Sequence, residues 1–166
     1  KILGYLQKFL AMPAPRESIL YGKILFITLR GLIQTTVILV IAILLGAHFL
    51  DPVLLIQIYT ALFIFGIFLS SLMTTVALKL EDHDSYAAIN AMISMPLFFT
   101  SSALMPYDQM PDWLAALARL TPVSYAIDAI RDLQGGIFPT ATLLGLLVGA
   151  ILVLLMSVTV FRRATV

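Results

Sequence analysis

Cysteine is absent from the chain, which excludes disulfides and thiolate metal sites and leaves the redox compartment unread. Charge is scarce. Charged residues make up 11% of the sequence, against about 25% in soluble domains. The formal net charge is +1, so no basic surface points to nucleic acid. The two histidines, His48 and His83, fall in connectors at opposite ends of the predicted spans. No nucleophile–base arrangement accompanies them, which makes an intramembrane enzyme the weakest reading.

What is present is apolar length. The chain is 61% hydrophobic with a mean hydropathy of +1.04. Its charges cluster between long uncharged runs, the pattern of an all-α, polytopic membrane helical bundle. The first residue is lysine, which leads us to expect processing or a longer parent chain.

Residues 1–23 do not read as a span. Leu3, Leu6, Phe9 and Leu10 recur at helical spacing and predict an amphipathic helix ending before Pro13. The pattern restarts at Pro15, with Ile19, Leu20 and Lys23 following. Either this is an interfacial connector with snorkelling lysines, or it docks a cytoplasmic partner.

Four transmembrane helices are predicted, over about 24–45, 53–78, 86–104 and 137–161. The first holds Arg30 and Gln34, which either reach the headgroups or face a cavity. The second carries a small-residue row, Gly66, Ser70 and Thr74, suited to close helix packing. Between the second and third lies a polar turn, Lys79 to Ser85, read as solvated rather than as a cation site. The third contains Asn90, Ser94, Pro96 and Thr100, and Pro96 is expected to kink it. Nearby hydroxyls would then re-satisfy the freed backbone. The fourth has Gly145 and Gly149 as a second close-contact row, and Arg162-Arg163 stops it.

Between the last two spans lies 106–136, too long for a tight turn and too apolar for a free loop. Pro111 fits a first helical turn, and Thr121 fits an N-cap with Pro122 behind it. The segment predicts a short external re-entrant helical hairpin, with Trp113 at the interface. Asp128 and Arg131 are spaced to pair, which would be worth about 0.3–0.5 kcal/mol if exposed. The hairpin is either a passive plug or an external gate.

Lysine and arginine set the orientation. Lys1, Lys8, Arg16, Lys23, Lys79, Arg162 and Arg163 fall on one side, and only Arg119 and Arg131 on the other. That bias predicts both ends of the chain in the cytoplasm and the hairpin outside.

The order Pro96, Phe98-Phe99, Ser101, Met105-Pro106, Met110-Pro111, Trp113-Leu114, Leu120-Thr121-Pro122, Asp128 and Arg131 resembles the ABC-2 type transporter permease family. Within it the daunorubicin-resistance and nodulation-type exporters are the most similar group. The segment from Met12-Pro13 to Gly22-Lys23 resembles the family's cytoplasmic element before its third span.

The resemblance implies a six-span permease of which this chain holds the last four spans. It implies a membrane location in a prokaryote's cell (inner) membrane, a second permease copy, and export of a drug-like, lipid or glycan substrate. It also implies a separate ABC ATPase subunit that carries ATP and Mg. No Gly-x-x-x-x-Gly-Lys-Ser/Thr phosphate loop occurs here, so this chain is expected to bind no cofactor and to be no enzyme. By the same resemblance Pro13, Pro15, Arg16 and Glu17 belong to the ATPase-coupling segment. The translocation path would be lined by Arg30, Gln34, Asn90, Ser94 and Thr100, and the external gate built from Trp113, Pro122, Asp128 and Arg131. The alternatives are a secondary transporter or a membrane scaffold. A secondary transporter usually needs a carboxylate at membrane depth, and none lies within these spans.

Overall fold

The computed structural model describes residues 16–46, 51–80 and 83–164. Helix α1 spans Arg16–Leu44, α2 Pro52–Ala77 and α3 His83–Phe99. A 3-10 turn over Tyr107–Gln109 leads into α4, Asp112–Ala118, then α5, Pro122–Gln134, and α6, Thr140–Ala164. No strand occurs among the described residues.

Helix α1 corrects the first boundary. The segment after Pro15 and the first span are a single helix of 29 residues, about 43 Å long. Nothing between Arg16 and Leu44 interrupts it: Gly22 and Gly31 cost helix propensity, but neither breaks the hydrogen-bond ladder. The amphipathic helix predicted before Pro13 lies outside the described residues.

Three helices are long and apolar enough to cross a membrane. They are α1 from Glu17 to Leu44, α2, and α6 from Thr140 to Arg162, with mean hydropathies of 2.1, 2.3 and 2.7. Large side chains such as Phe26, Ile33, Ile38 and Ile56 stand exposed on them. Lipid tails are the solvent such surfaces require.

The third predicted span is shorter than expected. Helix α3 has 17 residues and ends at Phe99, not near 104. Pro96 lies in its last turn. Its carbonyl accepts both the Thr100 N–H at 2.8 Å and the Thr100 hydroxyl at 2.7 Å. The Ser101 hydroxyl donates to the Phe98 carbonyl at 2.7 Å. The hydroxyls expected to repair a kink therefore cap a helix end, and the chain turns away instead of continuing.

Helix α2 is the centre of the fold, packing most extensively on α6, then on α1 and α5. Its small-residue row lies against α1. A Cβ on Gly66 would stand 2.8 Å from Thr28 Cγ2. The hydroxyls of Thr28 and Ser70 are 3.2 Å apart. Two turns along α1, the Tyr59 hydroxyl donates to Thr36 at 2.7 Å, because the Thr36 proton is committed to the Leu32 carbonyl. Where α1 begins and α6 ends, Leu20, Ile24, Val158 and Phe161 form a buried cluster with Ile67, Leu78 and Leu154 packed on it.

The second glycine row seats rings. Gly149 faces Phe68 at 3.4 Å, and Gly145 faces Tyr125 at 3.6 Å, both measured from an added Cβ. The close contact read from Gly145 and Gly149 is thus made by aromatic side chains of α2 and α5. Helix α3 meets the rest mainly through α2. Its Met92 and Met95 are exposed.

Candidate functional site

Two places gather polar groups in this apolar bundle. One is the junction between the end of α3 and the hairpin, and the other is a groove along α1 and α2.

At the junction, Ser101 and Ser102 are fully buried. Every polar group of Ser102 is bonded to α5. Its N–H donates to Ser124 Oγ at 3.1 Å, its hydroxyl donates to Asp128 Oδ1 at 2.9 Å, and its carbonyl accepts Arg131 Nη2 at 2.8 Å. The relay continues backwards. Thr121 Oγ1 gives its proton to the Ala118 carbonyl at 2.7 Å, so the Ser124 hydroxyl donates to Thr121 at 2.8 Å. Thr121 does hold the N-cap position before Pro122, but its side chain caps no N–H of α5. It joins α4 to α5.

The Asp128 carboxylate is shared. Its Oδ2 accepts the Tyr107 hydroxyl at 2.5 Å, which pulls the 3-10 turn onto α5. Burial pushes the Tyr107 phenol above its usual value of 10.0, and the bond to Asp128 acts in the same direction. The phenol therefore remains a donor at neutral pH. Above its ring, at 5.7 Å, lies the Arg119 guanidinium.

This corrects the expected Asp128–Arg131 pair. Three residues apart on α5, both side chains turn to Ser102 instead of to each other. The other two gate residues lie elsewhere. Pro122 borders a recess of about 240 Å³ with Phe68 and Gly149, and Trp113 is exposed on α4.

The groove has a volume of about 560 Å³. Arg30 and Gln34 line it together with Lys23, Thr28, Ser70 and Thr74, and Tyr86 of α3 also borders it. Arg30 borders the groove and is exposed. Asn90, Ser94 and Thr100 do not join it. Ser94 Oγ lies 3.5 Å from Asn90 Oδ1 on α3 itself, and Thr100 caps that helix. The five path residues thus form two separate groups.

Pro13 and Pro15 lie outside the described residues. Arg16 opens α1, and Glu17 accepts Arg162 Nε at 2.7 Å, tying the start of α1 to the end of α6. The Arg162 side chain is 66% exposed, so the pair is worth at most about 1 kcal/mol. Among the described residues no group of His, Asp or Glu could hold a metal ion.

The profile of the ABC-2 type transporter family matches residues 1–135, from the first residue through the hairpin. The chain belongs to the ABC-2 type transporter family. Among the proteins it is similar to is one named a transport permease, ycf38, of Cyanophora paradoxa. It is 34% identical over 131 residues, 78% of this chain and 45% of the relative. A protein of Mycobacterium tuberculosis named as the doxorubicin resistance ABC transporter permease DrrC is 30% identical over 146 residues, covering 87% of this chain and 52% of its own length. The daunorubicin resistance ABC transporter permease DrrB1 of Streptomyces coeruleorubidus is 24% identical over 137 residues, 80% of this chain and 47% of the relative. The chain spans about half the length of these relatives. No solved structure matches it at a significant level.

Within this ABC-2 chain, Ser102, Tyr107, Ser124 and Arg119 are the junction residues that the hairpin reading missed. The Ser101-Ser102 pair was visible in the sequence as hydroxyls near a proline. That Ser102 would bind three side chains 22 to 29 residues away has no signature in spacing.

Proposed function

We propose that this multi-pass membrane chain is part of the permease subunit of an ATP-driven exporter. Hydrolysis would occur on a separate ABC ATPase that carries ATP and Mg, and a second permease copy would complete the path. The observation that carries the reading is the hairpin junction, in a chain whose family match extends through it. The second hairpin helix, α5, is fastened through Asp128 and Arg131 to Ser102 just beyond the tip of α3, an arrangement suited to an external closure of a helix bundle.

The charge bias supports cytoplasmic chain ends and a hairpin on the outer face of a prokaryotic cell membrane. Helix α3, at 17 residues, makes the fourth crossing at the short end of the usual range. The start of α1, from Arg16 and Glu17, transmits ATPase closure to the bundle. The cargo is an apolar or amphipathic compound, as the drug-resistance names of two relatives suggest.

The full permease reconstituted with its ATPase is expected to give a vanadate-sensitive ATPase activity that substrate stimulates. Absence of that activity with every ATPase encoded beside the permease gene would sink the reading. Replacing Arg16→Gln together with Glu17→Gln should leave hydrolysis running while transport per ATP falls roughly tenfold, the size of a typical coupling energy. Unchanged transport per ATP would remove these two residues from the coupling element.

A further inference from the structure

The start of α1 and the end of α6 meet along one stripe of each helix. Glu17, Leu20 and Ile24 follow at intervals of three and four residues, so they share a face of α1. Val158 and Arg162 stand four apart on α6, with Phe161 three beyond Val158. Leu20, Ile24, Val158 and Phe161 are 2–7% exposed and form one cluster. At its rim Arg162 Nε donates to Glu17 Oε1 at 2.7 Å. The apolar cluster holds the two helices in contact. The ion pair selects how they are turned against each other, because the two side chains meet only when both stripes face inward.

This contact has reach in two directions. Helix α1 runs unbroken from Arg16 to Leu44, so a displacement of its first turn is carried into the span. Helix α6 has 25 residues, about 37 Å, and its other half packs on the hairpin. There Gly145 faces the Tyr125 ring of α5 at 3.6 Å from an added Cβ. One helix therefore touches the base of α1 at one end and the second hairpin helix at the other.

We propose that Arg162 is a positioning residue for energy coupling. Through Glu17 it fastens the first turn of α1 to α6, and α6 passes the movement to the external hairpin. The assignment rests on the export reading and adds α6 as a second transmitting span. Packed helices carry such coupling, and the evidence for it is a response that changes when the link is cut.

The test uses the full permease with its ATPase in lipid nanodiscs. The chain contains no cysteine, so Asp112→Cys, exposed on α4, places one thiol of this chain on the hairpin. Cysteines elsewhere in the permease are replaced. Its rate of labelling by a polar maleimide is read on the permease band, without nucleotide and after trapping with ATP, Mg and vanadate. Trapping is expected to change that rate by roughly fivefold, the lower end of typical coupling. Arg162→Glu should leave a change of less than about twofold while hydrolysis persists, since an exposed pair contributes no more than roughly fivefold. Arg162→Lys should keep most of the response. Glu17→Arg combined with Arg162→Glu should restore it, which a loss of folding or of one charge would not do.

A full response in Arg162→Glu would overturn the assignment. So would a charge exchange that responds no better than Arg162→Glu, or an unaltered Glu17–Arg162 pair that hydrolyses ATP with no change at the hairpin. Absence of hydrolysis in the unaltered protein would remove the export reading, and the coupling role with it. Hydrolysis with an intact hairpin response in Arg162→Glu would remove only the role of Arg162.

Discussion

Replacing Asp128 by alanine is expected to unfasten the hairpin and to cost about 2 kcal/mol of stability. The carboxylate is the acceptor for two donors, the Ser102 hydroxyl and the Tyr107 hydroxyl. Both lie in a half-buried pocket, and hydrogen bonds to an ionised group are about twice as strong as neutral ones. Asp128→Asn keeps an acceptor and loses the charge, so about half of the cost should remain. In a double-mutant cycle, Asp128→Ala and Ser102→Ala should couple by about 1–2 kcal/mol, because they share the bond being removed. Reversible unfolding in mixed detergent micelles reads these values, and efflux by the complete transporter should fall in the same order. Additive effects of the two substitutions would mean that the 2.9 Å contact holds nothing.

Enlarging Gly66 is expected to separate α1 from α2. An alanine Cβ there would stand 2.8 Å from Thr28 Cγ2, closer than real Cβ contacts allow. The methyl cannot simply swing away. Thr28 is 3% exposed, and its hydroxyl is held by the Ile24 carbonyl at 2.9 Å. Alanine also brings about 1 kcal/mol of helix propensity, which offsets part of the strain. Gly66→Ala should therefore be mildly destabilising, by about 1 kcal/mol, and Gly66→Leu should cost about 3 kcal/mol. The decisive variant is Thr28→Ser. It deletes Cγ2, the clashing atom, and keeps the hydroxyl near Ser70. Combined with Gly66→Ala it should restore full stability, while Gly66→Leu should stay impaired. If Thr28→Ser fails to rescue Gly66→Ala, the contact does not set the approach of these helices.

The long helices were legible because a membrane imposes a length. Apolar runs of the right size end at Asp51-Pro52, at Lys79 and at Arg162, and α2 and α6 fall within a few residues of those marks. Asp51 even caps α2 as its type suggests, accepting Val53 N–H at 2.9 Å. Two boundaries were not legible. The start of α1 looked like a separate interfacial piece, because charge density changes at Lys23 whereas the backbone ladder does not. The end of α3 looked like continuing span, because 100–105 is apolar enough to remain in lipid. What ended the helix was hydroxyl bonding to the Pro96 and Phe98 carbonyls.

The polar sites were half legible. Asp128 and Arg131 stood out as charges on a short helix, and the i, i+3 rule suggested that they pair. The fold offered each a better partner in Ser102, which only the approach of α3 to α5 provides. The row of Gly66, Ser70 and Thr74 was visible as small residues. Its counterpart, Thr28, was one hydroxyl among many until the two helices met.

The Ser102 junction also has a kinematic meaning. Bonds at three atoms of one residue remove the freedom of the α3 tip to slide or pivot on α5. The tip and the hairpin helix are one lever. Its joint lies after α5, where Gly135 and Gly136 turn the chain and Gly136 takes a φ of +77° that side chains other than glycine rarely adopt. The end of α3 and the hairpin helix are therefore expected to move together, so that a change in the tilt of one is a change in the position of the other.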